Sequence, residues 1–492
     1  MKRYYIIVII LLSTLFFIIR NTSTLHFLLD LEKTPEQKSK AFLKKEMVHH
    51  RTVYKKLVNS KGAFVEFNPY DYSGLYIAKK ALDSLKTVYG FIRIIEDDES
   101  EISEEQLNNH INASVKTWQN SKFSKHVSFQ DFLNFMLPYR AGKEHLSNYK
   151  RQLLETFSNE FEGIENLNTP LEAVNKLNNA FKEKIMFDLR SHAQLNSPGV
   201  LEVLTQQKGS CIDITQFTAI TMRTAGLAVA IDECPIWAHR NAGHQWNSFL
   251  NSDGNWVPFS GAEKNPDEFD SINDSVKAPK IFRHTFSSQP NFAPSVETKT
   301  DIPPLFRNNH RIDVTHEYVN TSNVTVKLKD SLIDNKIIYL AVFNAEKWKI
   351  VSWAKINNGI AKFKEMGNNN IVYLPVFYKN GITIPTSKPF LLTPTKKIMF
   401  SPKTLSNKFF NLKNYNKFFD SKWNIGKPQP GWKMELFYWN NKWVSCGIVK
   451  IADSKTLDYT IPQGGLYLIK SYNFKNTWQR VFSIENSEQV WY

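Results

Sequence analysis

The stretch GSCIDITQFTAITMRTAGL, residues 209–227, constrains the fold more than any other part of this chain. Ile214, Phe217, Ile220 and Met222 recur at helical spacing, which keeps the helix they form buried. Gly209 lets the backbone turn sharply, Ser210 stands where an N-cap belongs, and Asp213 follows three residues later as in a capping box. Gly226 ends the helix. Cys211 therefore falls in the first turn. Short strands come next: LAVAIDE, then HQWNSFL and WVPF, the last two flanking NSDGN, whose Asp253-Gly254 is a hairpin signal. The result is mixed α+β material around one buried helix.

The chain has 492 residues, too many for one compact core, so several domains are expected. Residues 35–165 read as a helical region: in SFQDFLNFMLPYR, Ser128 caps, Phe129, Phe132, Leu133, Phe135 and Met136 recur at helical spacing, and Pro138 stops the helix. Thr169 and Pro170 start a further amphipathic helix, PLEAVNKLNNAFKEKI, within a domain drawn at 166–290. Strands dominate from about residue 300, and 339–381 resembles 434–476: Lys-Trp follows a short turn in both, and Tyr-Leu recurs 25 residues after Trp348 and 24 after Trp443. Two related β-sandwich-like modules, 300–400 and 401–492, are expected from that repeat.

Lys2 and Arg3 precede an uncharged apolar run from Tyr4 to Ile19, closed by Arg20. This is an export signal at 1–21, short for a bilayer of about 30 Å and lacking a small-x-small cleavage site. An uncleaved membrane anchor facing the periplasm or cell surface is the favoured expectation, and a secreted protein is the alternative if the signal is removed. Three cysteines, Cys211, Cys234 and Cys446, make no disulfide framework, and at most one pair can close. The leftover thiol asks for a reason.

Net charge is +15, and from residue 291 onward there are 28 basic and 14 acidic residues. Lys396 to Lys427 holds eight lysines against Asp420, interleaved with Phe409, Phe410, Tyr415, Phe418, Phe419 and Trp423. A solvated face on a β-domain explains the run, and attraction to an anionic envelope polymer or lipid surface is the functional reading. No nucleic acid partner is expected of an exported chain.

A thiol in a first helical turn sees the positive end of the helix dipole and free N–H groups, both of which favour thiolate. His244 begins a strand beside Gly243 and is a candidate imidazolium neighbour. A small buried thiol and a satisfied core imidazole are the structural alternatives. Taken together, GSC with MRTAGL, then AVAID, then GHQWN before a turn and WVPF resemble the transglutaminase-like superfamily of cysteine hydrolases, which includes many exported bacterial proteins. The resemblance implies a papain-like core in which Cys211 is the nucleophile, Arg223 and Gly226 form the R-x-x-G that ends its helix, and His244 with Trp246 begins the next strand. The family's third residue, an Asp four positions after a Trp, falls on Ser260 here, and Glu263 and Asn247 are possible substitutes. Gln206 or Gln207 is a candidate oxyanion donor.

The resemblance thus implies a thiol enzyme that hydrolyses or transfers amide bonds of a protein, peptide or glycopeptide. The alternative is a catalytically weakened domain in a binding or scaffold protein whose C-terminal modules grip a glycan, peptide or envelope component. No cofactor and no metal, calcium included, are expected, because no ligand spacing or aspartate-rich loop is present.

Overall fold

A computed structural model describes residues 33–270, 272, 275–295, 302–328, 336–403, 405–411, 430–451, 456–472, 480–486 and 488–492. The apolar run at 4–19 lies outside them. Among the described residues no helix is long and apolar enough to cross a membrane.

The helices are α1 Pro35–Met47, α2 Leu75–Val88, α3 Asp98–Glu101, α4 Glu104–Asn120, α5 Phe129–Phe135, α6 Lys150–Thr156, α7 Ser158–Ile164, α8 Pro170–Lys184, α9 Val200–Gln206, α10 Cys211–Thr224 and α11 Thr315–Tyr318. The N-terminal region is not wholly helical. Strands β1 Arg51–Val58, β2 Phe64–Val65 and β3 Gly90–Asp97 form an antiparallel sheet in the order β2-β1-β3. Its strands show little apolar alternation because Lys55, Arg93 and Ile95 stand exposed, so the two-residue period that announces a half-buried strand is missing. Arg140 fixes this sheet to the helices through a buried ion pair at 2.7 Å to Asp98 and a hydrogen bond at 3.1 Å to Thr52.

The central sheet contains β6 Val229–Cys234, β7 His244–Leu250, β8 Trp256–Phe259, β9 Phe282–His284 and β10 Arg311–Asp313, ordered β10-β9-β6-β7-β8. Short β4 Met186–Phe187 and β5 Lys208–Gly209 pair beside the start of α10. Helices cover both faces of the sheet. On one, Ile214, Phe217 and Ile220 of α10 share a core with Phe249, Phe259 and α8 residues Val174, Leu177 and Phe181. On the other, Ala230 and Leu250 pack with α4 and α5, while Trp246 and Trp237 join Ile281 and Val314.

Downstream, β11 Thr321–Lys327, β12 Ile337–Asn344, β13 Lys347–Asn357, β14 Ile360–Gly367, β15 Ile371–Lys379, β16 Ile382–Pro385, β17 Phe390–Leu392 and β18 Lys397–Met399 make an eight-stranded sheet. A seven-stranded sheet follows from β19 Leu405–Asn411, β20 Lys433–Trp439, β21 Trp443–Lys450, β22 Thr456–Pro462, β23 Tyr467–Ser471, β24 Phe482–Glu485 and β25 Glu488–Trp491. The sequence repeat has a topological counterpart. In each sheet a hairpin carries the Lys-Trp motif, β12–β13 and β20–β21, and its first strand also pairs with a later strand, β15 or β23. The two sheets share one apolar cluster, in which Trp348, Trp439 and Trp443 meet edge to face. These aromatics are packed between modules rather than displayed. The side chains of 404–429, with most of the basic aromatic run, lie outside the described residues.

Candidate active site

Both ends of α10 are fixed as its sequence suggests. The Ser210 amide and hydroxyl donate to Asp213 Oδ2 at 2.8 and 2.7 Å, closing the first turn. At the other end Arg223 donates from Nε and Nη2 to the Val229 carbonyl at 3.0 and 2.8 Å, which ties the helix to β6. Gly226 has φ +85°, and a Cβ there would lie 2.5 Å from Ser121 Oγ, so glycine is required twice over.

Strand β7 alternates across the sheet. Asn247 and Phe249 face α10: Asn247 Nδ2 donates to the Thr215 carbonyl at 2.9 Å, and Phe249 packs with Phe217. Trp246 and Ser248 face the other way, where Trp246 Nε1 donates to Tyr318 Oη at 3.0 Å and Tyr318 in turn bonds buried Asp232. Two buried networks therefore pin the strand that His244 begins.

The structure brings the two quoted segments together at the start of β7. The Cys211 thiol stands near the backbone N–H of Gln245, the residue after His244, and that amide favours its thiolate form. Gln245 itself, missed in the sequence, stands opposite Glu233 of β6, and its Oε1 accepts from Thr215 Oγ1 of α10 at 3.5 Å. The His244 ring is half-buried, 5.8 Å from the Trp246 ring and tilted 35° to it. Among the described residues no hydrogen bond joins the Cys211 thiol to that ring. In resting sites of this kind such a bond is often long and tightens with substrate.

The electrostatics run against the expected ion pair. Burial pushes the Cys211 thiol above its ordinary value, the Gln245 and Ile212 amides pull it down, and the charges of Asp213 and Glu263 push it further up. Burial lowers His244 to about 4, helped by the positive charge of Arg240. At neutral pH the site holds a thiol and a neutral imidazole. The helix start favours thiolate in isolation, but desolvation and the capping acid outweigh it here.

Ser260 is buried just past β8, its amide donating to the Lys264 carbonyl at 2.9 Å, and it brings no charge to the imidazole. Glu263 is exposed, and its charge acts on the thiol. The turn that carries both is organised by Asn178 of α8: its Nδ2 donates to the Ser260 and Lys264 carbonyls at 3.3 and 3.1 Å, and its Oδ1 accepts from the Ala262 amide at 2.8 Å. Asn178 was legible as a polar residue beside Val174, Leu177 and Phe181 on an otherwise apolar face. The Gln206 side-chain oxygen accepts from Gln194 at 3.1 Å, and the Gln207 carbonyl accepts from the Met186 amide at 3.0 Å. All three cysteines are free.

The loop 235–243 leading into His244 is braced from the C-terminal sheets. Buried Asn344 donates to the carbonyls of Trp237 and Arg240, both at 2.9 Å, and buried Arg480 donates to the Ala238 carbonyl. Arg240 also lies over the Trp237 ring, 4.9 Å from its centroid.

Residues 158–260, about a fifth of the chain, match the sequence model of the transglutaminase-like superfamily. This segment is a transglutaminase-like domain. No curated protein matches the chain. Among solved structures, a candidate cysteine protease from Cytophaga hutchinsonii is similar at 15% identity and a TM-score of 0.20, over 24% of this chain and 40% of that one. Red sea bream transglutaminase is similar at 10% identity and a TM-score of 0.22, over 89% of this chain and 77% of that one. The Bacillus anthracis TIE protein follows at 11% identity and a TM-score of 0.12, over 53% and 46%. The domain match rests on 158–260, and TM-scores this low add no argument to it. It ends at Ser260, so it takes in Cys211 and His244, while Asp213 and Asn178 within it set the local chemistry and the turn.

Proposed function

We propose that Cys211 and His244 form a neutral thiol–imidazole pair that cleaves or transfers amide bonds of a protein, peptide or glycopeptide. The observation that carries the reading is the placement of Cys211 at the first turn of α10 beside the start of β7, where His244 stands and the Gln245 amide acts on the thiol. As Cys211 Sγ attacks the substrate carbonyl, the thiol proton passes to the neutral His244 ring. The oxyanion faces the N–H groups at the start of α10, and the imidazolium then protonates the departing amine as the C–N bond breaks. Water completes hydrolysis of the thioester, or a second amine takes the acyl group. The chain is exported and membrane-tethered on this reading, with the apolar run at 4–19 as the supporting feature.

A second reading is favoured by Ser260 at the third position and by the raised thiol: a binding or scaffold protein with a weakened site. An activated ester separates the two. With p-nitrophenyl acetate the enzyme reading expects an acetyl thioester on Cys211 by intact mass, absent in Cys211→Ala and formed about a hundredfold more slowly in His244→Ala. Equal acylation rates with and without His244 would assign the domain to binding.

A further inference from the structure

A cavity of about 150 Å³ opens at the far end of α10 from Cys211, bounded by α4, α6 and the last turn of α10. Its apolar wall is built from Met136, Leu154 and Ile220. Its polar wall holds Lys150 and Arg223, with His110 beside them.

The cations on that wall lack an acid of their own. Lys150 Nζ donates to Ser114 Oγ at 3.3 Å, and among the described residues no carboxylate lies within ion-pair distance of it. Burial alone lowers this ammonium to about 8. The Arg223 guanidinium donates to backbone carbonyls, those of Val229 and, at 3.5 Å, Arg140. The carboxylate whose charge reaches Arg223 is that of Glu144, and its oxygens already accept from the Ala141 and Gly142 amides. His110 adds no charge: burial lowers it to about 3, and its Nε2 donates to the Leu137 carbonyl at 2.6 Å.

A mostly buried ammonium without a counter-charge is unfavourable, and an anion in the cavity would complete it. We propose that this cavity binds a small organic carboxylate, its oxygens on Lys150 and its hydrocarbon against Met136, Leu154 and Ile220. The volume is that of about five liquid waters, which gives room for roughly six non-hydrogen atoms, the size of a four-carbon acid. The site is independent of the Cys211 chemistry at the other end of the helix.

Butyrate is the probe, with the full-length protein and ligand-observed NMR. The expected result is saturable binding, weakened at least about tenfold in Lys150→Met, which keeps the stem and removes the charge, and retained in Lys150→Arg. Butan-1-ol and inorganic phosphate are expected to bind at least about tenfold more weakly than butyrate, since each lacks one of the two complementary parts. Retention in Lys150→Arg shows that the position tolerates exchange without loss of the fold. The proposal is overturned by absent butyrate binding, by equal binding to Lys150→Met, or by butanol or phosphate matching butyrate.

Discussion

The two ends of α10 carry opposite charges and opposite chemistries. At the N-terminal end a thiol placed at the positive pole of the dipole is nevertheless held protonated, first by burial and then by the charges of the capping Asp213 and of Glu263. At the C-terminal end Arg223 and Lys150 complement the negative pole and leave a cavity with an excess of positive charge. The charges gathered at the two poles of the helix thus help keep a thiol protonated at one end and leave unmatched cations at the other. The contrast also shows why position on a helix does not by itself set a thiol's reactivity: the neighbours that build the cap contribute their own charge.

The largest expected effect comes from the middle of the helix, where both ends can be broken together. Phe217 is fully buried between α8 and the sheet, and Phe217→Ala is expected to destabilise the domain by about 3–5 kcal/mol in urea unfolding. Loss of Cys211 protection from alkylation and of butyrate binding at the same urea concentration would show one cooperative unit, whereas separate midpoints would divide the ends. Asn178→Ala acts at the N-terminal end alone. It leaves the buried Ala262 amide without a partner, an expected loss of about 1–3 kcal/mol, with butyrate affinity unchanged.

Smaller effects sharpen the electrostatic contrast. Asp213→Asn removes a charge that raises the Cys211 thiol, so its pKa falls and alkylation at pH 8 speeds up, by roughly three- to tenfold. Slower alkylation would reverse the sign assigned to the cap. Glu263→Gln is expected to act in the same direction by about twofold at low salt and to have no effect in 1 M salt, because that side chain is exposed and screened.

Much of this region was legible in the sequence. Gly209, Ser210, Asp213 and Gly226 bracket α10 at the right residues because caps and turns are local devices. The HQWNSFL–WVPF hairpin follows from the same kind of signal. What escaped was set by contacts far apart in the chain. Arg240 reaches His244 through a loop held by Asn344 and Arg480 of the C-terminal region, and Gln245 is placed by its register opposite Glu233 and by Thr215 of α10. The β1–β3 sheet escaped for another reason: exposed charges and apolar residues mix on its faces, so periodicity carries little information there. The cavity at Lys150 draws on α4, α6 and α10 and has no local signature at all.

The central claim, that Cys211 and His244 rest as a neutral pair, is tested most directly by the pH dependence of Cys211 alkylation by iodoacetamide, in the native protein and in His244→Ala. A thiol raised by burial and acids is deprotonated only at high pH, so the rate is expected to climb through pH 9 without a plateau below pH 8, and with the same midpoint in both proteins whatever their absolute rates. A rate that levels off at or below pH 7 in the native protein and loses that plateau in His244→Ala would reveal a thiolate–imidazolium pair and contradict the account.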